Sequence, residues 1–387
     1  MNVVVTGIGL RSALGDLVTT WKQVISGDSG IQVHQPFLEL TPKPLGLIGH
    51  HPASLKAITQ AVVLDAIADA ELLLPLGDCA IVIGSSRGNQ AQWEALARNR
   101  LYPASHSLFP VPFLTTLPHA AAVIAARLIG TSAAVRSPMA ACATGLWAIA
   151  QGYELVRSGE YERVIAGAVE APITRLTLTG FEQMGALAHT GAYPFDRERE
   201  GLALGEGGAV FVLESAELAK QRSARIYGQI IGCGLTADGY HVSAPEMGGQ
   251  AAIAAVTQCL RRSGLAAQDI DFIHAHGTAT RLNDLNEATL IQQVFPGGVP
   301  ISSTKGATGH TIGASGALGV AFCLLTLQQQ LLPPTVGLTH PEFDLDFVTT
   351  TRAATVQNVL CLGFGFGGQN AAIALVSHEQ SRLPGSP

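Results

Sequence analysis

Gly205-Glu206-Gly207-Gly208-Ala209-Val210-Phe211-Val212-Leu213 and Gly367-Gly368-Gln369-Asn370-Ala371-Ala372-Ile373-Ala374-Leu375 share one pattern: a glycine-rich turn running into an unbroken apolar stretch. Each reads as a strand entered through a turn, and each closes a segment of similar length. The echo favours two similar halves over one domain with a tail. The polar run from Glu214 to Arg225 reads as the hinge, which places the halves at 1–218 and 219–380. The end, Ser-Arg-Leu-Pro-Gly-Ser-Pro over 381–387, reads as a flexible, frayed terminus.

Working outward, further strand-like runs fall at 2–5, 79–83, 163–168, 226–231, 270–275 and 299–302. Helical stretches lie between them, at 56–72, 143–158, 250–263 and 312–330, the last stopped by Pro333-Pro334. The fold class is therefore mixed α/β. Apolar runs without strict alternation suit strands covered by helices on both faces. Composition agrees: 13% of residues are charged, against roughly 25% in an average domain. Gly accounts for 43 of 387 residues, well above the ~7% that is usual. Such a chain buries much surface and brings backbones close together. It is not a disordered one, and a net charge of −6 without a basic tract argues against nucleic acid.

The six cysteines include no Cys-x-x-Cys, so they suggest neither a zinc site nor a disulfide framework. A reducing, cytoplasmic setting is expected. The start, Met-Asn-Val-Val-Val-Thr-Gly, lacks the basic n-region of an export signal. One stretch invites a membrane reading, because no charged residue lies between Lys305 and Glu342. Its apolar core, 312–327, is interrupted by Gly313, Gly316 and Gly319, and a span needs about 20 apolar residues. A helix buried inside the core is the expectation, with no membrane span.

Cys142 stands in Ser137-Pro138-Met139-Ala140-Ala141-Cys142-Ala143-Thr144-Gly145, and Leu146, Ile149, Tyr153 and Val156 repeat after it at helical spacing. A cysteine at the turn into a helix meets backbone N–H groups and the helix dipole, which are expected to lower its pKa. A small buried structural cysteine fits the position equally well. Two histidines tilt the balance. His276 follows the apolar run 271–275 and precedes Gly277, at a strand end. His310 closes the loop Ser302-Ser303-Thr304-Lys305-Gly306-Ala307-Thr308-Gly309 before the long apolar helix. A lone histidine in either place reads first as structural. One cysteine and two histidines, each where an element ends in a Gly/Thr loop, are what a nucleophile with an acid/base and oxyanion pair requires. His274, two residues before His276, points to the opposite strand face and reads as structural.

Six segments, in order, resemble the active-site motifs of β-ketoacyl-acyl carrier protein synthases: the Ala-Cys-Ala-Thr-Gly turn, Pro194-Phe195-Asp196, Leu204-Gly205-Glu206-Gly207, Ala275-His276-Gly277-Thr278-Ala279-Thr280, Ser303-Thr304-Lys305-Gly306-Ala307-Thr308-Gly309-His310, and Gly363-Phe364-Gly365-Phe366-Gly367-Gly368. The resemblance runs over nearly the whole chain. It implies a thiolase-like fold, with two duplicated α/β halves layered α-β-α-β-α, and usually a homodimer. It implies that Cys142 takes an acyl chain from acyl carrier protein as a thioester. Malonyl-acyl carrier protein then loses CO2 while His276 and His310 hold its thioester carbonyl, and the carbanion attacks the acyl-Cys142.

Further roles follow from the same resemblance. The backbone N–H groups of Cys142 and Phe366 would meet the acyl oxyanion. Phe366 would gate the site between Gly365 and Gly367, whose freedom lets the loop swing. Thr278 and Thr280 would bind the pantetheine arm. Lys305 and Glu287 match a buried charged pair near the second histidine, read as orienting and electrostatic residues rather than proton carriers, with a structural salt bridge as the plainer reading. No metal or organic cofactor is implied. The chain departs from the family at His274, where Asn or Glu is usual, and at Gln369, where Thr is usual. Where relatives carry basic residues for the acidic carrier protein, before Phe109-Pro110-Val111-Pro112, it has Ala-Ser-His-Ser. Lys56, Arg98, Arg100 and Arg199 remain as docking candidates, or as plain solubilising charges.

Competing readings separate on single residues. Priming condensing enzymes resemble a Cys-His-Asn set, and His310 speaks against that. Thiolases use a second late cysteine, and Cys361 lacks their context. Chain-length-factor-like partner subunits lack the nucleophile, which Cys142 supplies. A discrete ketosynthase of a polyketide, polyene or glycolipid pathway shares every motif and stays open beside fatty acid elongation.

Overall fold

The computed structural model describes residues 1–101 and 113–378. Along the path of the main sheet, five strands come from the first half: β1 (Val3–Ser12), β2 (Ala80–Gly84), β3 (Val135–Arg136), β4 (Arg163–Glu170) and β5 (Gly207–Ser215). Five come from the second: β6 (Gly228–Ala237), β7 (Phe272–His274), β8 (Ile301–Ser302), β9 (Asn358–Gly365) and β10 (Gln369–Val376). They hydrogen-bond in the order β8-β7-β9-β10-β6-β1-β5-β4-β2-β3. Counted from the centre, each half has the same sequence of partners, two antiparallel pairings followed by two parallel ones. The two stretches with the shared pattern, in β5 and β10, occupy equivalent places. The halves meet where Val3, Val4 and Val5 pair with Ile230, Gln229 and Gly228.

Helices fill three layers around these strands. On one outer face lie α1 (Leu55–Asp69) and α2 (Ala120–Ile129). Between the half-sheets run α3 (Thr144–Arg157) and α6 (Ser315–Gln329), and α4 (Gln250–Ser263) and α5 (Arg281–Val294) cover the other outer face. The strands read as near-continuous apolar runs because both of their faces are covered. Ala80 and Val82 of β2 join the central core, while Ile81 and Ile83 join the outer cluster with Val62, Val63 and Ala66 of α1. On the second half, Val359 and Cys361 of β9 face inward, and Leu360 and Leu362 pack with Val256 of α4 and Ile291 of α5.

The segment Ile312–Gln329 is long and apolar enough to cross a membrane, yet it is the central helix of this core. Phe322, Leu318 and Leu324 on α6 are buried, each worth roughly 1.5–3 kcal/mol of burial. Its glycines mark close approaches. A Cβ on Gly316 would lie 2.6 Å from Leu146 on α3, and one on Gly319 2.8 Å from the His274 ring. Gly145 on α3 answers them, because a Cβ there would stand 2.6 Å from the Ala317 backbone nitrogen. Gly145→Ala is therefore expected to destabilise the fold by about 1–3 kcal/mol, read as a lowered denaturant midpoint; an unchanged midpoint would mean that α3 and α6 can part.

One element lay hidden in the sequence. The glycine-rich run from Gly363 to Gly368 reads as a loop, but Gly363, Phe364 and Gly365 continue β9 and pair with Ala371, Asn370 and Gln369. The turn is only Phe366 to Gly368, with φ of +78° and +72° at the two glycines. Of the sequence expectations, Phe109-Pro110-Val111-Pro112, the Ala-Ser-His-Ser before it, the side chain of Arg100 and the tail 381–387 lie outside the described residues.

Candidate active site

Cys142 occupies a single 3-10 turn, Ala141–Ala143, immediately before α3. Ala141 is held at φ +46°, a conformation a side chain adopts at a cost. The Thr144 hydroxyl fixes the turn by donating to the Ala141 carbonyl at 2.7 Å and accepting from the Ala140 N–H at 2.9 Å. From the other half, the end of β9 presses on the same turn. A Cβ on Gly365 would lie 2.7 Å from the Ala140 oxygen and 3.0 Å from the Cys142 nitrogen. Gly365 thus serves close approach rather than loop freedom. The Phe366 ring stacks on Phe181 with centroids 6.0 Å apart.

His276 follows the end of β7 in a strained loop, with Gly277 at φ +38° and Ala279 at φ +66°. A Cβ on Gly277 would meet Ser303 at 2.6 Å, so only glycine fits. Two buried carboxylates pin this loop through backbone donors, and a third, Asp196, holds residues 339–340. Glu287 of α5 accepts the N–H groups of His276 at 2.6 Å and Gly277 at 2.7 Å. Asp284 accepts those of Thr278 and Phe195, and Asp196 those of Thr339 and His340. Thr278 and Thr280 share a hydroxyl hydrogen bond of 2.9 Å.

Lys305 and Glu287 are both buried, but among the described residues no direct ion pair joins them. The Lys305 ammonium donates to the His276 carbonyl oxygen, so the two charges grip the same residue from its two backbone ends. The simple salt-bridge reading is thereby corrected. Burial raises the Glu287 carboxyl and lowers the Lys305 ammonium from their ordinary ranges.

His310 sits between the Lys305–Thr308 helical turn and the 3-10 turn Ile312–Ala314. Its Nδ1 lies 2.8 Å from the Ser315 hydroxyl. The His276 and His310 rings meet edge-on, with centroids 5.5 Å apart. Burial, reinforced by the nearby Lys305 charge, holds both imidazoles well below their usual pKa. They are neutral at pH 7, each able to donate one N–H and accept at the other nitrogen.

Cys142, His276, His310, Thr278, Thr280, Gly365 and Phe366 line one cavity of about 550 Å3. Cys142 comes from the first half and both imidazoles from the second. His274 turns the other way, its Nε2 3.0 Å from the Thr304 hydroxyl, and keeps out of the cavity. Two expectations need correction. The Cys142 thiol is not lowered: complete burial pushes it up to about 11, outweighing the pull of Lys305, Arg87 and the Phe366 N–H. Its alkylation by iodoacetamide should therefore rise about tenfold per pH unit from 7 to 10; a plateau near neutrality would require a stronger thiolate partner.

The second correction concerns Arg199. It is 2% exposed and donates to the Asp196 and Arg281 carbonyls, pairs with Glu342 and lies over the Phe343 ring. Held so, it cannot form part of a docking surface. Lys56 and Arg98 are exposed, but neither lines the cavity.

Sequence reasoning missed Ser315 and Glu170. Glu170, at the end of β4, is fully buried and accepts from the hydroxyls of Ser85 and Ser86 and from the N–H groups of Ser86, Arg87 and Gly313. It ties the first half to the turn behind His310. A charge closing the apolar run 164–169 was its only signal in the sequence.

Comparison with known proteins adds a family. Residues 51–219 match the model "Beta-ketoacyl synthase, N-terminal domain", and residues 227–339 match "Beta-ketoacyl synthase, C-terminal domain". The chain is 33% identical to 3-oxoacyl-[acyl-carrier-protein] synthase 2 of Mycobacterium bovis over 96% of both chains. It is 30% identical to the protein of that name from Staphylococcus aureus, over 98% of this chain and 99% of the relative. Among solved structures, a β-ketoacyl synthase from Burkholderia phymatum superposes with a TM-score of 0.88 at 26% identity, over 98% of this chain and 100% of the other. A complex of a type II polyketide acyl-carrier protein with its ketosynthase contains a chain that superposes with a TM-score of 0.91. Its identity is also 26%, over 97% and 99% of the two chains.

Proposed function

Because this chain belongs to the β-ketoacyl synthase family, we propose that it is a β-ketoacyl-acyl carrier protein synthase acting in fatty acid elongation. The observation that carries this reading is the convergence of Cys142, His276 and His310 on one cavity with both imidazoles neutral. The halves 1–218 and 219–380 contribute the nucleophile and the imidazoles respectively.

The chemistry runs in two stages. In the first, Cys142 sulfur attacks the thioester carbonyl of an acyl-acyl carrier protein. A carbon–sulfur bond to Cys142 forms, and the bond to the pantetheine sulfur breaks. Because Cys142 rests as a thiol, its proton must leave as the new bond forms; a neutral imidazole in the cavity can take it and return it to the departing thiolate. The N–H groups of Cys142 and Phe366 receive the tetrahedral oxyanion.

In the second stage malonyl-acyl carrier protein enters past Thr278 and Thr280. Its carbon–carboxylate bond breaks, CO2 departs, and the electron pair moves into an enolate whose oxygen accepts from His276 and His310. Neutral donors in a dry site suit this step, since they stabilise the growing charge without reorganising and without a buried full charge. The carbanion then attacks the acyl-Cys142 carbonyl, Cys142 leaves as thiolate and recovers a proton, and the β-ketoacyl chain is two carbons longer. Lys305 and Glu287 orient the His276 backbone and bias the local field.

Carrier-protein delivery accords with the relatives' names and with the solved ketosynthase–carrier complex. A homodimer accords with β3, a two-residue edge strand with both residues exposed, where a second copy could extend the sheet. Six free, buried cysteines accord with a cytoplasmic setting. The test is mass spectrometry of the protein given a series of acyl-acyl carrier proteins with malonyl-acyl carrier protein. Acylation of Cys142 and products two carbons longer are expected. Cys142 left unacylated by every saturated chain would overturn elongation. It would bring forward a polyketide-type ketosynthase, the reading favoured by the type II polyketide ketosynthase among the solved neighbours.

A further inference from the structure

Ser315 has no part in the chemistry above, yet among the described residues it is the one side chain hydrogen-bonded to an imidazole of the site. After His310 the chain makes a tight turn, with Ile312 at φ +43°, so that the first residue of α6 returns beside the ring. Ser315 Oγ lies 2.8 Å from His310 Nδ1 and 3.2 Å from Thr311 Oγ1. Thr311 is 1% exposed and Ser315 6% exposed, which shields both hydroxyls from bulk water. Among the described residues the His276 ring receives no such hydrogen bond.

Three protons must be placed on this chain of atoms, and two orders are open. In one, Thr311 donates to Ser315, Ser315 donates to Nδ1, and the ring proton sits on Nε2. In the other, Nδ1–H donates to Ser315 and Ser315 donates to Thr311. The Thr311 hydroxyl proton then has no acceptor among the described residues, because Ser315 is its only partner. A buried donor without an acceptor costs more than a hydrogen bond gains. The first order uses every proton.

We infer that the Thr311–Ser315 hydroxyl pair locks His310 as the Nε2–H tautomer, so that its free nitrogen faces the cavity as a standing donor. Ser315 is a positioning residue, acting through His310. Its kinetic consequence rests on the proposed condensing reaction; the tautomer assignment does not. His310, locked as a donor, is the imidazole suited to the enolate oxygen. His276, with no such lock, keeps the freedom to accept a proton.

The test pairs spectroscopy with kinetics. In full-length protein labelled with 15N-histidine, His310 should show an unprotonated, hydrogen-bonded Nδ1 and a protonated Nε2. Ser315→Ala should average the two signals towards a tautomer mixture, and Ser315→Thr should restore the wild-type pattern. Decarboxylation of malonyl-acyl carrier protein should fall roughly 3- to 10-fold in Ser315→Ala, with Cys142 acylation unchanged and the threonine variant recovering most of the rate. A protonated Nδ1 in the wild type would overturn the inference. So would a Ser315→Ala variant with an unaltered histidine spectrum, or one losing acylation and decarboxylation equally. If Cys142 accepts no acyl chain at all, the proposed reaction fails, and the spectra still decide the tautomer.

Discussion

Cys142→Ala is expected to abolish acyl transfer and condensation together while leaving a folded protein. The side chain is small and 5% exposed, so removing one sulfur leaves a modest void beside Phe181 and Ile312. The turn that carries it is held by Thr144 and by the approach of Gly365, neither of which uses the sulfur. Acylation, by contrast, needs a covalent acceptor, and among the described residues the other five cysteines do not line the cavity. A drop of at least about 10³-fold in product formation is expected, as for a lost nucleophile. The check is acyl-enzyme mass together with circular dichroism. Retained condensation would mean that Cys142 is not the nucleophile.

His310→Ala should divide the reaction. In the proposed reaction the imidazole is one of two donors to the developing enolate, and removing one preorganised donor costs about 10²- to 10³-fold. In the proposed reaction acylation of Cys142 uses the Cys142 and Phe366 N–H groups and His276 as proton acceptor, all of which this change leaves alone. Release of CO2 from malonyl-acyl carrier protein should therefore collapse, while single-turnover acylation stays within a few-fold of wild type. Equal loss of both steps would make His310 the proton acceptor for Cys142 and exchange the roles of the two histidines. Mild acid offers a parallel view: both imidazoles sit well below their usual pKa, so decarboxylation should hold its rate as pH falls through 6.5.

The sequence carried more of the site than of its support. Cys142, His276 and His310 could be found because each ends an element in a Gly/Thr loop, a pattern visible without coordinates. The apolar stretch at 312–330 was legible as a buried helix from its glycines. Ser315 was not, since a serine at the head of a helix looks like any other until a tight turn folds it against His310. Glu170 and Arg199 show the same limit. Their burial follows from contacts between residues more than 80 positions apart. The raised thiol of Cys142 was hidden for a related reason, because the helix dipole is local but desolvation depends on everything packed around it.

The shared central layer has a consequence for synthesis. The inner face of β5 is covered in part by α6, whose last residue is Gln329, and β1 pairs on one side with strand β6 of the second half. As the chain leaves the ribosome, the first half emerges with an apolar sheet face and an open strand edge. The edge is met soon after by β6, Gly228–Ala237, but the apolar face waits for α6, Ser315–Gln329, roughly a hundred residues later. Nascent chains in that interval are poor folders and ready aggregators. The second half is thus the first half's missing cover.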